Sequence, residues 1–182
     1  MARADARRNY ERLLAAAGDA FVRYGVDASL NDVARRAGVG PATLYRHFPT
    51  REALLEALLT DRYDTLAEQA RTLLDSSSPR EALVAWLHVF MAHVTTYRGL
   101  ATPVKAALQD ETSELFSSCH GMQAAWHELL VHAQKAGAVR ADVDGSDVLR
   151  LANAVAWATD GRPDEADRLL SLVLEGIGAG QH

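Results

Sequence analysis

Side chains with the chemistry of nucleic-acid recognition are concentrated in one segment, SLNDVARRAGVGPATLYRHF, at residues 29–48. Thr43 can hydrogen-bond a base edge or offer its methyl group to thymine, and Ala42 allows an apolar contact. Polar tips suited to phosphate oxygens follow on Tyr45, Arg46 and His47. Together they predict non-covalent binding to double-stranded DNA.

Two short helices joined by a tight turn would position these side chains. The first helix begins after Ser29, a favourable N-cap, and ends at Gly38, where the turn requires a positive φ. Ala34 is small enough for close helix approach, and Pro41 suits the first turn of the second helix, which runs to about His47. This spacing is typical of a DNA-binding helix-turn-helix, whose second helix enters the major groove. Nearest to the base edges we expect Pro41, Ala42 and Thr43.

Helices flank this motif on both sides. Apolar residues recur at intervals of three and four from Tyr10 to Tyr24, which predicts a long first helix that ends at Gly25. Thr50 caps a long fourth helix. We expect Ser29 and the pair Thr50 and Arg51 to present helix N-terminal N–H groups to phosphate.

The rest of the chain also has the helical period, and no segment alternates at period two. The fold class is therefore predicted to be all-α, with an N-terminal three-helix helix-turn-helix domain at residues 1–50. A helical effector-binding and dimerisation bundle follows at 51–182. Beyond a linker at 75–79 we expect five helices, at about 79–97, from 102, and at 110–135, 146–159 and 163–177. Residues 178–182 are expected to form a frayed tail.

Charge is distributed unevenly along the 182 residues, whose net charge is −5. Residues 1–60 hold nine arginines against seven acids, whereas residues 61–182 hold ten basic and 17 acidic residues. A basic front module and an acidic rear one agree with DNA binding at the front. The single cysteine, a start without an apolar leader and an apolar stretch too short to span a bilayer predict a cytoplasmic protein with no membrane partner.

The segment from Leu13 to Leu59 resembles the DNA-binding domain of the TetR (tetracycline repressor) family. Four features match in order: F-x-x-Y-G, D-V-A-x-x-A-G-V, T-L-Y-R-H-F and x-x-R-E-A-L-L. The resemblance implies a homodimeric, ligand-responsive transcriptional regulator, in most members a repressor, that releases operator DNA when a small molecule binds the C-terminal domain. It also implies that DNA contacts come from Thr43, Tyr45 and His47, and a phosphate contact from Arg51.

The chain departs from the family pattern at Gly40–Ala42, where a Ser-Lys-Gly type sequence is common. A basic residue is therefore missing, and the operator sequence stays open. Upstream, Arg7, Arg8 and Arg12 either touch the DNA backbone or form a solvated face, and the residue types leave both interpretations open.

The resemblance further implies an effector pocket and a four-helix dimer interface in the second domain. For the pocket we expect the aromatic and polar groups embedded in apolar stretches: Trp86, Phe90, His93, Tyr97, Met122, Trp126 and Trp157. Their spacing is equally typical of an ordinary core stripe. Dimerisation is expected through the last two helices, whose apolar faces carry Val148, Leu151, Ala152, Val155 and Ala156, and Leu169, Leu170, Val173, Leu174 and Ile177. These faces could also simply cover the core.

Other functions have weaker support in the sequence. The histidine pairs His88/His93 and His127/His132 are five residues apart, not the three or four that places two ligands on one helix face, so we expect no metal and no cofactor. Cys119 is either a redox switch or a structural thiol. No nucleophile elbow, phosphate loop or HExxH motif is present, so we expect no enzyme. A helical interaction module with a vestigial helix-turn-helix remains the alternative, and it would lack salt-dependent DNA binding.

Overall fold

The computed structural model describes residues 2–97, 99–159 and 162–178, except for the side chains of residues 2 and 3. These residues form helices and turns, with one isolated antiparallel bridge between Val139 and Gly178, so the all-α prediction is confirmed. None of the helices in these ranges is long and apolar enough to cross a membrane. The helices are α1 Ala2–Tyr24, α2 Leu30–Arg36, α3 Pro41–His47, α4 Arg51–Leu73, α5 Pro79–Thr96, α6 Lys105–Gln109, α7 Glu114–Lys135, α8 Gly145–Ala158 and α9 Pro163–Ile177.

Two helices begin later than the sequence indicated. The sixth begins at Lys105, after turns, and α7 begins at Glu114 rather than near Asp110. The Asp110 carboxylate accepts a hydrogen bond from the Thr112 N–H at 2.9 Å, which folds a local turn. The Ser113 hydroxyl then accepts from the Phe116 N–H at 3.0 Å and caps α7. Aspartate here therefore competes with the helix rather than starting it. The predicted tail beyond Gly178 lies outside the described residues.

The chain divides into two compact units. The N-terminal unit comprises Met1–Asp61 and Tyr97–Ser117, and thus α1 to α3, the start of α4, α6 and the start of α7. The bundle unit comprises Arg62–Thr96 and Ser118–His182, and thus the rest of α4 and α7 with α5, α8 and α9.

Two stacked indoles form the centre of the bundle unit. The rings of Trp86 and Trp126 lie 5.0 Å apart with an interplanar angle of 22°. Their Nε1–H groups donate to the carbonyls of Leu66 and Gly145, each at 2.9 Å, so burial leaves no indole N–H unpaired. A Cβ at Gly145 would lie 3.0 Å from the Trp126 Nε1, which explains why α8 begins with a glycine at this close approach.

The C-terminal end of α9 is fastened to the loop before α8. The Arg140 N–H donates to the Ile177 carbonyl at 3.0 Å, and its guanidinium donates to the Gly176 carbonyl at 3.1 Å. Arg140 also forms an ion pair with Asp142 at 2.9 Å. These bonds satisfy carbonyls that a helix C-terminus leaves open, and they fix the orientation of α9 within the bundle unit.

Candidate nucleic-acid interface

The turn between α2 and α3 is built as the sequence indicates. The Ser29 hydroxyl accepts from the Asp32 N–H at 3.3 Å and caps α2. Gly38 adopts a φ of +67°, and the Val39 N–H donates to the Ala34 carbonyl at 3.0 Å. Ala34 and Leu44 are fully buried. The two short helices are therefore locked against each other, and the orientation of α3 is set by packing.

Opposite its buried side, α3 presents an outer face to solvent. Leu44 and the adjoining Phe48 are buried, whereas Tyr45 is 47% exposed. Thr43 is partly buried. The remaining exposed members of this outer face are Pro41, Ala42 and Arg46. The helix thus offers a hydroxyl, a phenol, a guanidinium and two small apolar groups, a set that suits base edges and phosphates.

His47, at the end of α3, is more enclosed than its expected phosphate contact suggests. Its ring centroid lies 6.2 Å from that of Tyr10 on α1, in an edge arrangement, and 6.2 Å from that of Phe48. Its buried Nε2 has no hydrogen-bond partner among the described residues. Tyr10, the ring that packs against His47, is itself partly enclosed: burial, with the carboxylates of Glu114 and Asp61, raises its pKa. His47 therefore contributes packing at the helix end as well as a polar ring.

Arg51 has a structural role that the sequence did not reveal. Its Nη1 donates to the carbonyls of Val26 and Ala28, each at 2.6 Å, so the guanidinium holds the loop that leads into α2. These two bonds use only Nη1, so the expected phosphate contact of Arg51 would come from Nε or Nη2, and it stays a prediction. The neighbouring Thr50 hydroxyl accepts from the Ala53 N–H at 3.1 Å and caps α4, as predicted.

A cationic edge between α1 and α2 was not singled out from the sequence. The Arg36 guanidinium lies 5.7 Å from the centre of the Tyr24 ring, and its Nη2 donates to the Tyr24 hydroxyl at 3.4 Å. Hydrogen bonds from Arg23 and Arg36 lower the pKa of Tyr24. No sequence signal could have shown this pairing, because Tyr24 and Arg36 come from different helices.

In the bundle unit, most of the predicted pocket residues form a closed core. Trp86 and Trp126 are 0% and 1% exposed, and Phe90 stacks on Trp86 with ring centroids 5.5 Å apart. Met122 is buried in the same cluster. Close stacking of this kind leaves the aromatic faces occupied by one another, so the core interpretation describes these four residues.

Two predicted pocket residues lie elsewhere. Trp157 is 52% exposed on α8, so it does not line the interior with the other tryptophans. Tyr97 follows the last residue of α5 and belongs to the N-terminal unit, so the proposed four-residue stripe on α5 ends at His93. The prediction extended α5 by one residue beyond Thr96, and it took Trp157 as interior because this aromatic lies within an apolar stretch.

Polar groups gather around His93. The Tyr63 ring on α4 lies 5.4 Å from that of His93. Burial, followed by the nearby charge of Arg62, lowers the pKa of His93 to about 4. Burial raises the pKa of Tyr63 to about 12, with a smaller contribution from Cys119. Burial also raises the pKa of the Cys119 thiol, which argues against a reactive thiolate. Tyr63 lies on the predicted fourth helix, but the sequence analysis did not name it among the pocket residues.

The apolar faces of α8 and α9 are mostly buried or partly buried. Five of the ten named side chains belong to the core: Val148, Ala152, Ala156, Leu170 and Leu174. Outside it, Leu151 is 46% exposed, and Leu172, which the sequence analysis did not name, is 58% exposed. With Trp157, they are the large apolar side chains exposed to solvent on the described part of the last two helices, and we call these three residues the α8–α9 patch.

The histidines do not assemble a metal centre in the part of the chain that the structure describes, where no three candidate ligands come together. His88 instead joins α5 to α9: its Nε2 lies 3.1 Å from an oxygen of Asp167, and its Nδ1 lies 2.9 Å from the Val84 carbonyl.

Two family models match the chain. The model of bacterial regulatory proteins of the tetR family matches residues 13–58, and that of the SbtR-like transcriptional regulator C-terminal domain matches residues 78–179. The chain belongs to the TetR family. This TetR-family chain therefore carries both a helix-turn-helix and a regulator C-terminal domain.

Similar proteins support the same assignment. The TetR transcriptional regulator SCO0520 from Streptomyces coelicolor is 36% identical, with a TM-score of 0.78 over 94% of this chain and 99% of that one. A TetR regulatory protein from Mycobacterium vanbaalenii is 34% identical, with a TM-score of 0.69 over 98% and 99%. The transcriptional repressor KstR2 of Mycolicibacterium smegmatis is 28% identical over 92% of this chain and 89% of its own length. The family consists of transcriptional regulators rather than enzymes, which confirms the prediction for this TetR-family member.

Proposed function

We propose that this protein is a ligand-responsive, sequence-specific repressor that binds a palindromic double-stranded operator as a homodimer. Release would follow when a small molecule binds the bundle unit. The observation that carries the proposal is the outer face of α3, which is exposed while Leu44 and Phe48 anchor its other side. A rigidly supported helix with exposed polar tips is what major-groove recognition requires.

The proposed DNA contacts divide by chemistry. Pro41, Ala42 and Thr43 would contact base edges. The tips of Tyr45 and Arg46, with the exposed part of the His47 ring, would contact phosphates. Ser29 and Thr50 cap α2 and α4 and would lie beside the backbone. Arg51 would hold the loop before α2 through Nη1 and contact a phosphate through Nε or Nη2. We assign residues 1–50 to DNA binding and residues 51–182 to effector binding and dimerisation, and we place the protein in the cytoplasm because its partner is chromosomal DNA.

For dimerisation we propose the α8–α9 patch. Three large apolar side chains about half exposed on neighbouring helices favour burial against a second copy. A twofold dimer would present two α3 helices to successive major grooves, with half-sites centred about 34–36 Å apart or a multiple of this distance.

The dimer is tested by Trp157→Asp, with Val89→Asp as the matched control because Val89 is 40% exposed on α5, outside the patch. Sedimentation or light scattering is expected to show a monomer for the first variant and a dimer for the control. A dimer that survives Trp157→Asp would exclude this patch as its interface.

We propose that the effector binds beside Tyr63 and His93. The other predicted pocket residues would join this site where binding separates them from the core. The pKa directions of both groups favour their uncharged forms near neutral pH. Each would then donate or accept a hydrogen bond without carrying charge. An effector would shift the population between DNA-bound and released states by the difference in its affinity for them.

The proposed function is tested by selecting a random DNA library with the purified protein at moderate salt and sequencing the bound pool. Enrichment of a palindrome supports sequence-specific dimeric regulation, and that duplex then serves to screen small molecules for release. A folded dimer that enriches no sequence would favour an interaction module instead.

A further inference from the structure

A shallow depression lies on the exposed side of α1 in the N-terminal unit. Its lining residues are Asp5, Arg8, Asn9, Glu11, Arg12 and Ala15. The sequence left the arginines of this helix undecided between a DNA contact and a solvated face. Their positions and partners in the structure distinguish them.

Arg12 lies against the turn of the helix-turn-helix. Its Nη1 is 3.5 Å from the position that a Cβ would occupy at Gly38. Gly38 stands two residues before Gly40, the N-cap of α3. The guanidinium therefore lies beside the turn that leads into α3. If the N-terminal end of α3 entered the major groove, the flanking DNA backbone would pass this turn.

The charge of Arg12 is also less compensated than that of its neighbours. The Arg7 guanidinium pairs with Glu11 at 2.8 Å, and Arg8 pairs with Asp5. Arg12 instead donates from Nη2 to the neutral Oδ1 of Asn9 at 2.5 Å. Among the described residues no carboxylate forms an ion pair with Arg12, so its positive charge is available to an anion.

We propose that Arg12 binds a backbone phosphate of the operator, at the edge of the site read by α3. This inference rests on the proposed function, and it adds a contact from α1 that lies outside the helix-turn-helix. A planar guanidinium matches two phosphate oxygens at once, and Asn9 would hold it in position. Such a contact adds affinity and fixes register without reading sequence.

The test measures the dissociation constant of the full-length protein for its selected palindrome between 50 and 200 mM salt. The variants are Arg12→Ala, Arg12→Lys and, as control, Arg7→Ala. Arg7 is also on α1, but it is ion-paired and points roughly 140° away around the helix. Far-ultraviolet circular dichroism confirms that each variant is folded.

Loss of one phosphate contact per protomer lowers the slope of log affinity against log salt by about 2 for a dimer. Arg12→Ala is therefore expected to weaken binding about tenfold at 50 mM salt, on every sequence alike, while Arg12→Lys restores most of the slope. Arg7→Ala is expected to keep the wild-type slope.

An unchanged slope for Arg12→Ala, or an equal loss for Arg7→Ala, would overturn the assignment of Arg12 while the proposed function stands. Failure of the wild-type protein to bind any duplex would instead defeat both.

Discussion

The N-terminal unit and the bundle unit use their distinctive side chains in opposite ways. In the first, Thr43, Tyr45 and Arg46 project from a short helix whose apolar side is fully enclosed. In the second, the conspicuous aromatics Trp86 and Trp126 stack on each other at the centre. Residues that bind a large external partner must be exposed, so their types stand out against the helical period. Residues that could line a pocket share their period with the core, so the sequence cannot separate the two.

The largest expected effect tests whether the stacked aromatics are core. Trp126→Ala removes a buried indole and its bond to Gly145, and it is expected to lower the free energy of unfolding by about 3–5 kcal/mol. Urea unfolding measures this, with Val89→Ala as the exposed control, expected within about 0.5 kcal/mol. A cost below about 1 kcal/mol for Trp126→Ala would show that a cavity already exists beside the indole. The bundle unit would then not have the closed core that distinguishes it from the N-terminal unit.

The second effect concerns pH and the polar surroundings of His93. Its folded pKa of about 4 lies below the ordinary value of 6.5, so the unfolded chain binds the proton more readily. The free energy of unfolding is therefore highest above pH 6.5 and falls as pH decreases towards 4. Proton uptake by His93 in the unfolded chain lowers it by about 2 kcal/mol between pH 7 and pH 5. Unfolding curves at pH 7 and pH 5 measure this change, which should be about 2 kcal/mol larger in the wild type than in His93→Gln. Parallel pH dependence in the two proteins would mean that His93 is solvated.

A smaller effect is expected at the turn that sets the orientation of α3. Gly38→Ala places a side chain at a φ of +67° and is expected to cost about 1–2 kcal/mol in unfolding free energy. Gly40→Ala is the matched control, because Gly40 has a φ of −74° and open space around it, so a change within about 0.5 kcal/mol is expected. Equal costs at both positions would show that backbone strain does not distinguish them.

The smallest effect sharpens the comparison at a single hydroxyl. Thr43→Ala is expected to weaken operator binding by about 1 kcal/mol, roughly fivefold, and to relax preference at one base position. Alanine is the better helix former, so unfolding cannot explain the loss. Gel-shift titration of this variant beside Thr72→Ala, an exposed threonine of α4, measures the difference. Wild-type affinity for Thr43→Ala would remove Thr43 from the interface.

The helix boundaries around the DNA-binding motif could be predicted because each depends on a local signal. Ser29, Gly38 and Pro41 act within three or four residues of their position in sequence. The role of Arg51 could not be predicted, since its carbonyl partners lie 23 and 25 residues away. The division of the α8 and α9 faces was likewise hidden, because periodicity shows that a face is apolar but not which neighbour covers it.

The stacked indoles also give the molecule an optical property. Two indole rings 5.0 Å apart are close enough for their electronic transitions to couple, so the near-ultraviolet circular dichroism of the pair depends on their mutual orientation. Aromatic dichroism disappears when tertiary packing loosens, even while helices persist. Without any attached label, the unmodified protein can therefore report whether a molecule entering the bundle leaves Trp86 and Trp126 in contact or pushes them apart.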